Sequence, residues 1–147
     1  MIKLDELLNE WSEDKKIHEE SAQNDLIRIP ILHGKYLEYL SKHRISTHKA
    51  KFDYIKMKKI RREYYLGNLD KETLDEFGWE PFDLKVGNKS NIELYLESDD
   101  ILIKLQEKRI YHEECVSICE MILKELHSRT FQIKEFLAHT RFLSGAY

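Results

Sequence analysis

Apolar residues recur at helical spacing at the start of the chain. Leu4, Leu7, Leu8 and Trp11 fall at i, i+3, i+4 and i+7, which predicts an amphipathic helix over the first dozen residues. The polar stretch 12–24 has no apolar stripe, so the pattern leaves a loop and an exposed helix equally open.

A second helical pattern runs from Pro30 to Tyr65 and contains only one glycine, Gly34. Proline is tolerated in the first turn of a helix and is costly inside one, so we expect the helix to begin at Pro30. The pattern predicts one long helix, or two helices broken near Ser46. Gly67 follows the last apolar positions and is the expected stop.

The next segment, residues 67–90, holds four of the seven glycines and prolines, which predicts an acidic loop. Ile92, Leu96 and the residues between them alternate between apolar and polar types, which favours a short strand or hairpin over about 84–97. Ser98-Asp99-Asp100 precedes a further helical pattern that runs to about Leu143. This segment suits a helix N-cap region, with its acids at the positive end of the helix dipole.

Length and composition agree with a mainly α protein. The chain has 147 residues, 5 glycines and 2 prolines, which suits one domain rich in helix. We predict long helices with an acidic irregular segment, arranged as an N-terminal helical segment 1–29, a basic helix region 30–66, an acidic loop region 67–100 and a C-terminal helical region 101–147.

Charge is distributed in blocks. Residues 35–62 carry 10 basic and 2 acidic groups, a net of +8, and residues 63–100 carry 3 basic and 11 acidic groups, a net of −8. The basic block predicts a polyanion site although the whole chain has a net charge of −3. A solvated face that pairs with the acidic segments is the alternative.

Several classes of protein are excluded by composition. No apolar run approaches the roughly 20 residues that span a bilayer, and the first residues do not form a secretory signal. Two cysteines do not make a disulfide scaffold. We therefore expect a soluble intracellular protein.

The helical wheel of residues 49–65 separates a packing face from a cationic face. Ala50, Tyr54, Met57 and Tyr64 fall on one side, and Arg61 lies among them. The opposite half collects Lys49, Lys51, Lys56, Lys58, Lys59 and Arg62 around the apolar residues Phe52 and Ile55. Cations track phosphates and an aromatic ring stacks on an unpaired base, so this face favours single-stranded nucleic acid.

The same face is open to other interpretations. Phe52 and Ile55 are also suited to packing on another subunit or helix, which is an equally common use of large apolar residues on a charged face. A basic amphipathic helix also binds anionic lipid, but two large apolar residues are few for that purpose. We therefore expect no membrane partner.

No catalytic or cofactor motif stands out. Val86 to Ser90 resembles the end of a phosphate-binding loop, but Phe82 stands where its first glycine is required. His112, Cys115 and Cys119 share a helical face, which permits zinc but is more typical of core residues. We expect a binding protein that is not an enzyme, with no catalytic residues, no metal and no cofactor.

Two motifs resemble those of a known family. Lys59-Ile60-Arg61-Arg62-Glu63-Tyr64-Tyr65, followed by Gly67, resembles the basic motif ending in acid-Tyr-Tyr of the UvsY recombination mediators of T-even-type phages. The segment from Ser128 to Lys134, followed by Arg141-Phe142 and Gly145, is similar to the C-terminal helix of that family. The resemblance covers most of residues 30–147.

The resemblance implies a function in DNA recombination, repair and replication in the cytoplasm of an infected bacterial host. Such mediators bind single-stranded DNA and form a ring-like homo-oligomer. They help a phage recombinase (UvsX-like) to displace the phage single-strand-binding protein. The basic motif implies that Lys59 and Arg61 act on DNA, although Ile60 and Arg62 depart from the family pattern. The C-terminal helix implies oligomerisation through Phe131, Ile133, Phe136, Leu137 and Phe142.

Two rival functions come from other classes. One is a structural scaffold protein whose basic and acidic helices pair between subunits without DNA. The other is a small metal-dependent nuclease that uses the acidic cluster.

Overall fold

Helices account for almost all of the regular structure. A computed structural model describes residues 1–82 and 89–145, and within these ranges there are five α-helices, one 3-10 turn and no strand. The prediction of a mainly α protein is thereby confirmed. The elements are α1 (Leu4–Asp14), the 3-10 turn Glu19–Ser21, α2 (Ala22–Tyr65), α3 (Lys71–Phe77), α4 (Lys89–Glu97) and α5 (Asp100–Leu143).

Backbone contacts divide the chain into two compact units, which we describe separately. The terminal unit comprises Met1–Ile45 and His112–Tyr147, and the central unit comprises Ser46–Tyr111. The long helices α2 and α5 each contribute residues to both units.

The core of the terminal unit joins α1, the first half of α2 and the second half of α5. Its buried residues are Leu7, Leu32, Tyr36, Leu40, Cys115, Cys119, Ile122 and Leu126. Both cysteines are free and fully buried, so the interpretation of Cys115 and Cys119 as core residues is confirmed. Burial raises the pKa of the Cys119 thiol to about 11, which keeps it neutral among its apolar neighbours.

Polar contacts attach α1 to α2 within this unit. The Asp14 carboxylate accepts hydrogen bonds from Lys35 Nζ at 2.6 Å and from the Tyr36 hydroxyl at 2.8 Å. Burial alone would raise the pKa of Asp14, but these donors and the nearby cations outweigh it and lower that pKa. The C-terminal end of α1 is therefore held by an ionised carboxylate.

The start of α2 differs from the sequence-based expectation. We expected the helix to begin at Pro30, but it begins at Ala22 and Pro30 lies inside it. A proline inside a helix costs about 3 kcal/mol. Buried residues on both sides of it, Ala22 and Ile29 before and Leu32 after, pack against core clusters and keep the helix continuous.

The end of α2 agrees with the prediction. The Asn68 N–H donates to the Glu63 carbonyl at 3.0 Å, and the Gly67 N–H donates to the Tyr64 carbonyl at 3.1 Å. Gly67 has a φ of 74°, a conformation that costs little without a side chain. Of the two predicted alternatives, one long helix or two helices broken near Ser46, the structure shows the first, because α2 continues through Ser46 without a break.

The acidic region is not a continuous loop. It contains α3, whose N-cap Asp70 accepts a hydrogen bond from the Thr73 N–H at 2.8 Å, and it contains α4. The predicted strand is wrong for 89–97, because α4 occupies these residues, and Ile92 and Leu96, four residues apart, pack together as one helical face. The remainder of that prediction, 84–88, lies outside the described residues. The first three residues of the motif that resembles a phosphate-binding loop, 86–88, lie outside them as well, and its last two begin α4.

The start of α5 follows the predicted cap. Asp99 Oδ1 accepts a hydrogen bond from the Leu102 N–H at 3.0 Å, and the helix then continues to Leu143. Among the described residues, no helix has the length and apolar character needed to cross a membrane.

Candidate nucleic-acid interface

The cationic face of α2 is exposed on the central unit. Lys49, Lys51, Lys56 and Lys59 are all exposed. Phe52 is 58% exposed. A step of three or four residues separates Lys49, Phe52, Lys56 and Lys59, so these four follow one another along the helix. The structure therefore brings a ring and several cations together on one surface, which we call the α2 surface (Lys49, Lys51, Phe52, Ile55, Lys56 and Lys59).

Packing on the opposite side of α2 explains this orientation. Ala50 is buried, and Tyr54 and Met57 pack against a cluster made of Tyr65, Ile92, Leu96 and Leu102. These residues share the face that the helical wheel predicts for packing. Because that face packs against the core, the lysines on the other half of the helix face solvent.

Lys58 and Arg62 are less available than the exposed lysines of the α2 surface. Lys58 is partly buried, with its Nζ 6.0 Å from the centroid of the Tyr54 ring. Arg62 Nη2 lies 2.7 Å from Glu93 Oε1, and both side chains are about half exposed. An exposed pair of this kind contributes little stability, so Arg62 is readily redirected to a phosphate.

Arg61 lies in a different environment from every other predicted cation. Its side chain is 11% exposed, and its Nε donates to Asp99 Oδ2 at 2.7 Å. Its guanidinium also lies 4.3 Å from the Tyr64 ring centroid and 4.6 Å from that of Trp79. The sequence placed Arg61 on the packing face but carried no sign of these partners, because Asp99 is 38 residues away.

The five predicted oligomerisation residues fall into two groups within the terminal unit. Ile133 is buried and Leu137 packs beside it, in a cluster with Ala22 and Ile29. By contrast, Phe131 is 67% exposed and Phe142 is 62% exposed, and Phe136 is also exposed. Of the five predicted residues, only the three phenylalanines present exposed apolar surface.

A groove beside these residues was not predicted. It has a volume of about 410 Å³ and is lined by residues of α2 and α5 that include Leu26, Ile27, Leu137 and Arg141. Ile27 and Ile31 are four residues apart on α2, and both are more than two-thirds exposed. That spacing is visible in the sequence and was the available signal for an apolar surface here.

Within residues 1–82 and 89–145, no group of three or more potential ligand side chains is arranged to hold a metal ion. The α2 surface presents cations beside the exposed ring of Phe52. Cations and aromatic rings are the groups that engage the backbone and bases of an unpaired strand. By class, the described chain is a mainly α-helical protein with an exposed cationic surface.

Comparison with known families makes this class specific. A family model described as "Recombination, repair and ssDNA binding protein UvsY" matches residues 10–146. The chain therefore belongs to the UvsY family. A search of curated protein sequences found no match.

Solved structures share the fold. One crystal structure of the bacteriophage T4 recombination mediator protein UvsY, in lattice type II, has a TM-score of 0.83 and 22% sequence identity, and the likeness covers 98% of this chain and 99% of that chain. The lattice type I structure has a TM-score of 0.76 and 21% identity, and covers 92% and 97% of the two chains. At this identity the likeness supports the fold alone.

Proposed function

We propose that this protein binds single-stranded DNA through the α2 surface and acts as a recombination mediator. The observation that carries the proposal is the exposed row of Lys49, Lys56 and Lys59 beside the exposed ring of Phe52. Lys51, Lys58 and Arg62 extend the same half of the helix. The lysines neutralise phosphates, and the ring stacks on a base with a contribution of about 1–3 kcal/mol.

One copy of this surface binds weakly at cellular salt. About 4–6 phosphate contacts lose much of their strength between low and physiological salt, because released counterions supply the driving force. If several copies hold one strand, the later contacts become intramolecular and the overall affinity rises steeply. A homo-oligomer, which we propose to be a ring, supplies those copies.

The mediator role follows from the same arrangement. A strand held by several copies is bent or wrapped, which loosens a single-strand-binding protein and makes the strand available to a recombinase. We propose the phage recombinase and the phage single-strand-binding protein as partners because the family description includes recombination and single-stranded DNA binding. The proposed role is non-catalytic and requires neither metal nor nucleotide hydrolysis.

Binding to single strands is the first test of this function. We expect the full-length protein to bind a fluorescein-labelled poly-thymidine oligonucleotide, with a slope of log K against log salt of about −3 or steeper. We expect a duplex of the same length to bind at least about tenfold more weakly, because paired bases offer no face to Phe52. Anisotropy titrations at several salt concentrations measure both, and equal affinity for the two substrates would contradict the proposal.

The exposed phenylalanines of α5 are the candidates for the contact between copies. We expect Phe131→Gln with Phe142→Gln to reduce the mass in solution to smaller species, since both rings are mostly exposed and glutamine preserves the helix. Sedimentation velocity measures the mass. Met121→Gln, which changes an equally exposed apolar residue elsewhere on α5, serves as the control.

Point changes are preferable to truncation in this experiment. Removal of the chain from Ser128 onward would also remove Arg129 and Ile133, which are both buried in the terminal unit. A smaller species would then reflect a damaged fold as much as a lost contact. If the phenylalanine variant keeps the mass of the unmodified protein, the α5 contact is wrong.

A further inference from the structure

The Arg61 side chain forms a connection inside the central unit. Its Nε donates to Asp99 Oδ2, and its Nη2 donates to the Tyr65 hydroxyl at 3.2 Å. The Tyr65 hydroxyl in turn donates to the same Asp99 oxygen at 2.5 Å. Arg61 and Tyr65 are on the last turns of α2, and both side chains donate to the Asp99 carboxylate.

Asp99 serves two helices at once. While Oδ2 accepts from α2, Oδ1 accepts from the Leu102 N–H in the first turn of α5. The Asp99 side chain is fully buried. Burial alone would raise the pKa of Asp99, but the hydrogen bonds from Tyr65, Leu102 and Arg61 outweigh it and lower that pKa. One ionised carboxylate thus attaches the end of α2 to the start of α5.

Aromatic rings lie against the Arg61 guanidinium. Arg61 Cζ lies close to the rings of Tyr64 and Trp79, and the Tyr64 hydroxyl donates to the Glu80 carbonyl at 2.6 Å. For Arg61 to reach a phosphate, it would have to leave these rings and leave Asp99 buried without its cation. Breaking a buried pair in this way is strongly unfavourable.

We propose that Arg61 is a positioning residue for DNA binding and does not itself contact phosphate. It holds the last turns of α2 against Asp99, so that Lys56 and Lys59 are presented on an ordered helix. The inference rests on the proposed function of the α2 surface, and it separates Arg61 from the exposed lysines of the same basic motif.

Arg61→Lys distinguishes the two roles. Lysine keeps the positive charge and substitutes well at a simple phosphate contact, but it lacks the planar fork that meets Asp99, Tyr65 and the rings. We expect this variant to bind the single-stranded oligonucleotide about tenfold more weakly. The salt slope should stay close to that of the unmodified protein, since every exposed lysine remains.

Asp99→Asn is a second test, because the two roles of Arg61 predict opposite changes in DNA affinity. Asparagine is a good N-cap, so the start of α5 is preserved. Removal of a negative charge would strengthen DNA binding if Arg61 were a phosphate contact released from its partner. We expect about tenfold weaker binding instead. The double variant that combines Asp99→Asn with Arg61→Lys should bind no more weakly than the weaker of the two single variants, because both changes break the same contact.

A milder variant guards against loss of the fold. Tyr65→Phe removes one hydroxyl donor to Asp99 and leaves the ring and all cations in place, and we expect a loss of about threefold in affinity with an unchanged salt slope. Circular dichroism confirms the helix content of each variant.

The results that would overturn the inference are specific. They are unchanged affinity of Arg61→Lys, tighter binding by Asp99→Asn, or a salt slope reduced by about 0.7 in Arg61→Ala as for a lost phosphate contact. If the unmodified protein fails to bind, the proposed function falls together with the inference. If it binds and only these variants disagree, the inference alone is wrong.

Discussion

Replacing Lys49, Lys56 and Lys59 together with alanine is expected to weaken binding to a single-stranded oligonucleotide by about 100-fold at 0.1 M salt. Each phosphate contact on a single strand contributes about 0.7 to the salt slope, so three contacts contribute about 2 units of log K at this salt concentration. All three side chains are exposed, and alanine favours helix, so the fold should be retained. Anisotropy titrations over a salt series measure the affinity and the slope.

A matched variant controls for net charge. Lys104, Lys108 and Lys124 are exposed lysines of α5, and their replacement by alanine removes the same three charges. We expect this variant to keep the salt slope of the unmodified protein. Equal losses in both variants would show that binding follows total charge alone, and unchanged binding by the α2 variant would exclude the α2 surface as the DNA site.

The long helices could be predicted because their apolar periodicity agrees with their packing. Ala50, Tyr54 and Met57 recur at steps of three and four. Ala50 is buried, and Tyr54 and Met57 pack on the core of the central unit. The ends at Gly67 and Asp99 could also be predicted, since each depends on local chemistry within a few residues. A left-handed glycine and a capping carboxylate are both visible in a short window of sequence.

The start of α2 and the region 89–97 could not be predicted correctly for a different reason. The cost of Pro30 inside a helix is local, but the contacts that offset it come from distant residues such as Ile133. Similarly, Ile92 and Leu96 suit both a strand and a helix, because residues four apart share a face in either. Leu102 and Tyr65, which complete their cluster, decide in favour of the helix.

The candidate site was predictable to the extent that it lies on one helix. The wheel alone assigns Lys49, Lys56, Lys59 and Phe52 to one exposed half. It also places Arg61 on the packing side, but it does not identify the carboxylate that pairs with it. Contacts between residues far apart in sequence, such as the 114 or 115 positions between α1 and Arg129, are beyond any pattern in a single window.

Arg129 is the buried cation that attaches α1 to α5 in the terminal unit. Its Nη1 donates to the Asp14 carbonyl at 2.9 Å, its Nη2 donates to the Lys15 carbonyl, and its guanidinium lies 5.3 Å from the Trp11 ring centroid. Helix α1 has no basic residue in its last turn. Arg129 therefore supplies the positive charge that the carbonyl end of a helix favours.

We expect Arg129→Ala to destabilise the terminal unit by about 3 kcal/mol, since two carbonyls lose charge-assisted donors and the Trp11 ring loses its contact with the guanidinium. Arg129→Lys should cost less, because it keeps one donor and the charge. Hydrogen exchange of the α1 amides, compared at equal protein concentration, measures the loss where it occurs.

Arg44→Ala is the control for this change. Arg44 pairs with Glu120 at 3.0 Å, but both side chains are more than half exposed, so its loss should cost under about 0.5 kcal/mol. If Arg129→Ala leaves the α1 amides as protected as in the control, then the packing of Leu7 and the hydrogen bonds to Asp14 hold α1 without help from Arg129. The larger effect is favoured because one guanidinium makes two partly buried hydrogen bonds, contacts the Trp11 ring and supplies the positive charge at the carbonyl end of α1.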